Sequence, residues 1–169
     1  MSDSVHAFSR DWVSSFYREH HRALASYAAA LARSRDEAED VVHEALVGML
    51  AVRGPIEHPE AYAYRAIRNR AFDRMRRVPQ QEVQGFAAAR SIDEQGSLPA
   101  EASDLVALQG ALASLAPAAA EVVVLHARSG LSFPQIAVVL DEPVGTVSAR
   151  YSRALAEMRA YLAKEEQHG

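Results

Sequence analysis

Residues Ala61 to Arg77, AYAYRAIRNRAFDRMRR, carry six arginines in seventeen positions against one acid, Asp73, and contain no helix breaker. A helix this basic cannot be buried on every side, so a fold that includes it must cover one face and leave another to water or to a partner. At about 100° per residue, Tyr64, Ile67, Ala71 and Met75 share a side that can bury. Tyr62, Arg65, Asn69, Phe72 and Arg76 share another. That second face alternates rings with guanidinium groups and an amide. Such a surface can hold phosphates by charge, stack on unpaired bases and hydrogen-bond a base edge. An ordinary solvated arginine face on a bundle helix has the same pattern, and the stretch alone leaves both readings open.

Composition enters because the net charge of -4 argues against an anionic partner until it is resolved along the chain. Residues 1 to 77 hold 12 Arg against 11 Asp and Glu, residues 78 to 103 hold 1 against 4, and residues 104 to 169 hold 5 Lys and Arg against 7. The basic charge is local, so the whole-chain balance misleads. The chain has 169 residues, 49% of them apolar, which suffices for one or two small cores. Its apolar runs are too short and too interrupted to span a bilayer, and Met1 to Asp11 lacks a signal-peptide pattern, so a cytoplasmic chain is expected. The absence of cysteine excludes disulfides, thiolate metal sites and thiol chemistry.

From the N-terminus, Trp12, Phe16, His20 and Leu24 rise in four-residue steps through a first helix spanning Phe8 to Arg33, or two helices with a bend. His20 and His21 lack a second ligand cluster at helical spacing and read as a surface pair. The next helix has Asp36 placed to cap it and Glu39 three residues on. Ala38, Val41, Val42, Ala45, Leu46, Met49 and Leu50 trace its buried stripe. Its other face, Glu37, Asp40, His43, Glu44 and Val47, is acidic and includes an apolar residue. It suits docking to a basic partner as well as simple solvation. His43-Glu44 does not begin a zinc-hydrolase motif, because Val47 stands where the second histidine belongs. Gly54, Pro55 and Pro59 mark a loop, Arg53 to Glu60, directly before the basic helix.

The predicted organisation is all-α: two small helical domains joined by a flexible linker, with boundaries at 8–78, 79–103 and 104–165. The linker is acidic and weakly periodic, with Val83, Phe86 and Ile92 as possible anchors. In the second domain, Leu105, Leu108, Leu112 and Leu115 outline a short helix, and Pro117 starts another that Gly130 ends. Ser132 caps Phe133 to Leu140. After Asp141 to Val144, a long helix runs from about Gly145 to Leu162. Short helix, tight turn and long helix make a helix-turn-helix pattern, with Thr146, Ala149, Arg150 and Arg153 outward. An ordinary helical hairpin is the alternative.

AEDVVHEALVGML, then AYAYRAIRNRAFDRMRR, then LASLAPAAAEVVVLHARSGLSFPQIAVVLDEPVGTVSARYSRALAEMRAYL, together resemble the two conserved regions of bacterial extracytoplasmic-function sigma factors of the sigma-70 family. The likeness runs from about Phe16 to Leu162, with two independent motifs in the family's order. It implies an initiation subunit of RNA polymerase without catalytic activity or cofactor, whose partners are core polymerase and promoter DNA. Whether an anti-sigma factor exists stays open. The resemblance implies polymerase binding through Asp40, His43, Glu44 and Val47, with His43 where glutamine is usual. It implies contact with the -10 element through Arg53, His58, Tyr62, Arg65, Asn69, Arg70, Phe72, Arg74 and Arg76, the loop reading a flipped base and the helix capturing the parted strand. It implies contact with the -35 element through Thr146, Ser148, Ala149, Arg150 and Arg153. The acidic linker is expected, by the same likeness, to imitate nucleic acid inside the polymerase.

Two departures bear on the upstream element. Asp141 and Glu142 replace a small or apolar pair before PVGTV, and Ser148 and Ala149 replace a basic residue and serine after GTV. Losing one bidentate base contact forfeits roughly 1–3 kcal/mol of discrimination, so weak or unusual -35 recognition is expected. Two other classes fit parts of the sequence: a helix-turn-helix regulator acting without core polymerase, and a protein-binding helical adaptor. An enzyme fits least, because seven scattered histidines form no recognisable catalytic arrangement.

Overall fold

The computed structural model describes residues 8–78, 86 and 102–168. Most of the stretch read as a linker, with Val83 and Ile92, lies outside them; within it only Phe86 and the start of a helix at Ala102 are described. The regular elements among the described residues are helices. They are α1 (Arg10–Leu31), α2 (Arg35–Met49), α3 (Pro59–Arg76), α4 (Ala102–Ser114), α5 (Pro117–Val123), α6 (Phe133–Leu140) and α7 (Val144–His168). A π-helical turn, Val124–Arg128, continues α5.

α1 is one helix without a break, capped by Ser9, whose hydroxyl accepts the Trp12 backbone N–H at 3.0 Å. The four-residue steps appear as a ladder of rings: Phe8 on Trp12 at 4.9 Å, Trp12 on Phe16 at 5.0 Å and Phe16 on His20 at 4.5 Å. α2 starts two residues earlier than the Asp36 reading. Its N-cap is Ser34, whose hydroxyl accepts the Glu37 N–H, while the Glu37 carboxylate accepts the Arg33 N–H at 2.7 Å. Serine needs only an extended backbone to cap, and Ser34 has it, whereas Asp36 already lies in the first turn and favours the helix through its charge.

α1, α2 and α3 pack against one another around Leu24, Leu31, Val41, Ala45, Met49, Tyr64 and Ile67, all essentially inaccessible to water. The stripe expected on the basic helix, Tyr64, Ile67, Ala71 and Met75, is the buried one. In the second half, α4, α5 and α6 all pack on α7. Gly110 lets α4 approach closely, since a Cβ there would lie 2.6 Å from the Tyr161 hydroxyl. The helix-turn-helix pair is set by a capping box at Ser132 and Gln135, and by an aromatic knot. His126, on the π turn, stacks on Phe133 at 4.6 Å and meets Tyr151 edge-on at 4.7 Å. Its Nδ1 lies 2.7 Å from the Leu131 carbonyl, which fixes the ring between α6 and α7.

The two halves also pack on each other. α3 lies along α6, and α1 touches the π turn.

Candidate nucleic-acid interface

The acidic face of α2 is open: Asp40, His43, Glu44 and Val47 are all exposed, Val47 to 52%. Glu37, which also falls on that side, is half-buried because it closes the N-terminal cap. The face does not stand apart from the basic helix. Arg74 Nη2 donates to Glu44 Oε1 at 2.6 Å, and Arg74 Nη1 lies 3.9 Å from Asp40 Oδ2. An open polar cleft of about 460 Å³ follows this junction, lined by Arg33, Glu37, Glu44, Arg70, Asp73 and Arg74 among others.

Along α3, Asn69 and Arg76 are exposed, and Arg76 donates to Asp73 on its own helix. Arg65 and Arg70 are half-buried. Arg70 crosses α2 at Gly48, where an added Cβ would sit 2.3 Å from its Nη2, so a side chain there would shift the guanidinium. The loop places Arg53 in solvent and His58, the residue before α3, half-buried with Nε2 3.9 Å from Glu57 Oε1.

The two rings of the expected base-capturing face are less free than the spacing implied. Tyr62 leans on Phe8 at 5.5 Å, and Phe72 is half-buried with the Arg68 guanidinium 4.6 Å over its ring. Both sit at the border of the buried stripe, where large apolar area gains more from partial burial than from water.

Arg68 is the residue that the pattern reading missed. Its Nε donates to Glu121 Oε1 at 2.8 Å, and the same oxygen accepts the Tyr27 hydroxyl at 2.7 Å. Glu121 belongs to α5 and is only 4% exposed, so the seam between the halves encloses one carboxylate held by a phenol and a guanidinium. Burial first, then the Glu121 charge, push the Tyr27 hydroxyl well above its ordinary value. Burial, the largest single effect, pulls Arg68 down, but its bond to Glu121 together with the charges of Glu121, Tyr27 and Glu142 leaves it above the usual arginine value. A lone acid inside the run AAAEVVVL was the available signal, since a carboxylate there must be buried and must find a cation. Beside it, burial pushes the Tyr64 hydroxyl up to about 12, and it approaches the Ser129 hydroxyl without completing a hydrogen bond.

On α7, Thr146, Ala149 and Arg153 are exposed and lie on one side of the helix, as a groove-entering surface requires. Ser148 turns its hydroxyl to the Gly145 carbonyl at 3.2 Å. Arg150 stands on the flank, with Nη1 2.8 Å from Glu142 Oε2. Among the described residues no group of three or more histidines and acids is placed to hold a metal.

Two family models match the chain in this order: sigma-70 region 2 over residues 16–79, and sigma-70 region 4 over residues 105–158. The chain is an extracytoplasmic-function sigma factor of the sigma-70 family. It is 26% identical over 149 residues to the ECF RNA polymerase sigma factor SigM of Mycobacterium tuberculosis, covering 86% of this chain and 74% of that relative. Two solved structures share its fold at 25% identity and TM-score 0.63. CnrH bound to the cytosolic domain of CnrY covers 92% of this sigma factor and 90% of that chain. RpoE of Bartonella quintana bound to the anti-sigma factor NepR covers 89% and 98%. The sigma factor therefore acts with RNA polymerase in promoter recognition and transcription initiation, as a regulator without enzymatic activity. No helix among its described residues is long and apolar enough to cross a membrane.

Proposed function

We propose that the sigma factor divides this work between residues 8–78 and 104–165, joined by 79–103. The exposed face Asp40, His43, Glu44 and Val47 docks on core polymerase. The loop residues Arg53 and His58 read a base of the -10 element. Tyr62, Arg65, Asn69, Arg70, Phe72, Arg74 and Arg76 hold the parted strand, and Thr146, Ser148, Ala149 and Arg153 of α7 face the -35 duplex. The observation that carries this reading is the junction of α2 and α3, where an exposed acidic face and a row of arginines adjoin through Arg74 and Glu44. Unstacking a base costs a few kcal/mol and a stacking partner returns about 1–3 kcal/mol, so several captures, added to polymerase contacts, are needed to open a promoter. The site of action is the cytoplasm, where polymerase works. The likeness to RpoE in its complex with NepR supports an anti-sigma partner for this chain as well.

The test is transcription in vitro with core polymerase and a library of promoters. Asp40→Lys with Glu44→Lys should abolish co-purification with core enzyme while circular dichroism keeps its helical signal. Co-purification at the parent level would remove α2 as the docking face.

A further inference from the structure

Glu142 is the second residue of the turn between α6 and α7. Asp141 before it adopts the left-handed conformation, φ 54 and ψ 48, and the backbone N–H groups of both residues close on the Ala137 carbonyl. This turn sends the Glu142 side chain two helical turns along α7 to Arg150. The contact at 2.8 Å falls outside hydrogen-bond angles, so it is an ion pair, and its Oε2 is shielded from water. Arg150 keeps only 22% of its side-chain surface exposed, whereas Thr146, Ala149 and Arg153 are open. Arg68 of α3 is a second positive charge within electrostatic reach of Glu142. An arginine contributes to duplex affinity by neutralising phosphate or by bidentate bonding to guanine, and a carboxylate already on its guanidinium competes with both.

We propose that Glu142 is a specificity-determining residue that withholds Arg150 from duplex DNA, so that α7 engages its site through Arg153 and the small residues beside it. The proposal rests on the reading of α7 as the -35 helix. It gives the weak upstream recognition expected from the sequence a cause in one pair: a positive charge on α7 is neutralised from the preceding turn. Promoters served by this chain then depend on the -10 contacts, and changing one acid shifts that balance.

The test uses sigma factor reconstituted with core polymerase, and a duplex promoter from the library whose upstream element is intact or scrambled. Glu142→Gln keeps the shape of the side chain and removes its charge. It should tighten binding to the intact duplex severalfold and steepen the dependence of log K on log salt by about 0.9, the signature of one added phosphate contact. Arg150→Ala should cost less than Arg153→Ala in the parent, yet as much as Arg153→Ala when Glu142→Gln is also present. Equal losses in the parent, or an unchanged salt slope in Glu142→Gln, overturn the proposal. Loss of helicity in Glu142→Gln would make the pair a strut of the fold and overturn it too. If Arg153→Ala leaves the preference for the intact element untouched, the fault lies in the assignment of α7, and the proposal falls with it.

Discussion

The core of the first half and the seam between the halves are both buried, but they are built on different physics. Leu24, Val41, Ala45, Ile67 and Ala71 meet inside α1–α3 as apolar area removed from water, a non-directional gain that grows with surface. At the seam, one oxygen of Glu121 takes both the Tyr27 hydroxyl and the Arg68 Nε, contacts that span 94 and 53 residues. Phe86 adds a ring 6.0 Å from Tyr27. A core of the first kind spreads its gain over many side chains, whereas the seam adds to its apolar packing one carboxylate whose removal leaves Arg68 and the Tyr27 hydroxyl without their shared partner. The contrast implies that the α1–α3 body outlasts its attachment to α5 and α6.

The largest expected effect tests the core. Ile67→Ala should cost about 2–5 kcal/mol in denaturant unfolding, through lost burial and a residual cavity. A cost no greater than that of a seam substitution would erase the contrast. Glu121→Ala comes next, at about 1–3 kcal/mol, below the full penalty for a broken buried pair because Arg68 keeps 26% of its side chain in water. Small-angle scattering should show a larger radius of gyration for this variant while helicity is retained; an unchanged radius means that apolar packing alone holds the halves.

Alkaline titration sharpens the same comparison. Tyr27 and Tyr64 are both raised in the folded state, Tyr64 to about 12, so keeping them neutral stabilises the fold fully below about pH 10. That contribution is lost as pH climbs through the folded values. Phenolate absorbance from these two rings should therefore rise together with the loss of helical circular dichroism. Glu121→Ala should let Tyr27 ionise earlier, and ionisation of both well before unfolding would contradict their burial. The smallest effect on stability belongs to Arg76→Ala, within about 0.5 kcal/mol, because its partner among the described residues, Asp73, is on the same exposed surface. It should nonetheless slow promoter opening, with a defect that shrinks on a template already unpaired at the -10 element. Equal activity of variant and parent on both templates would remove Arg76 from the strand-holding face.

Local chemistry in the sequence determined the helices and their inward faces. Ser132 with Gln135 starts α6, Pro117 starts α5, Gly130 at φ 70 ends the turn that follows, and the Tyr64, Ile67, Ala71, Met75 stripe lies inside as its spacing requires. Each signal acts within a few residues of its cause, so it survives without knowledge of the rest of the chain. Tertiary structure alone decided which charges meet. Arg74 of α3 met Glu44 and Asp40 of α2, Arg68 found Glu121, and Arg150 found Glu142. Helical periodicity states which side of each helix faces out, but a pairing of charges depends on the distance and angle at which two helices dock, and those follow from packing the whole core.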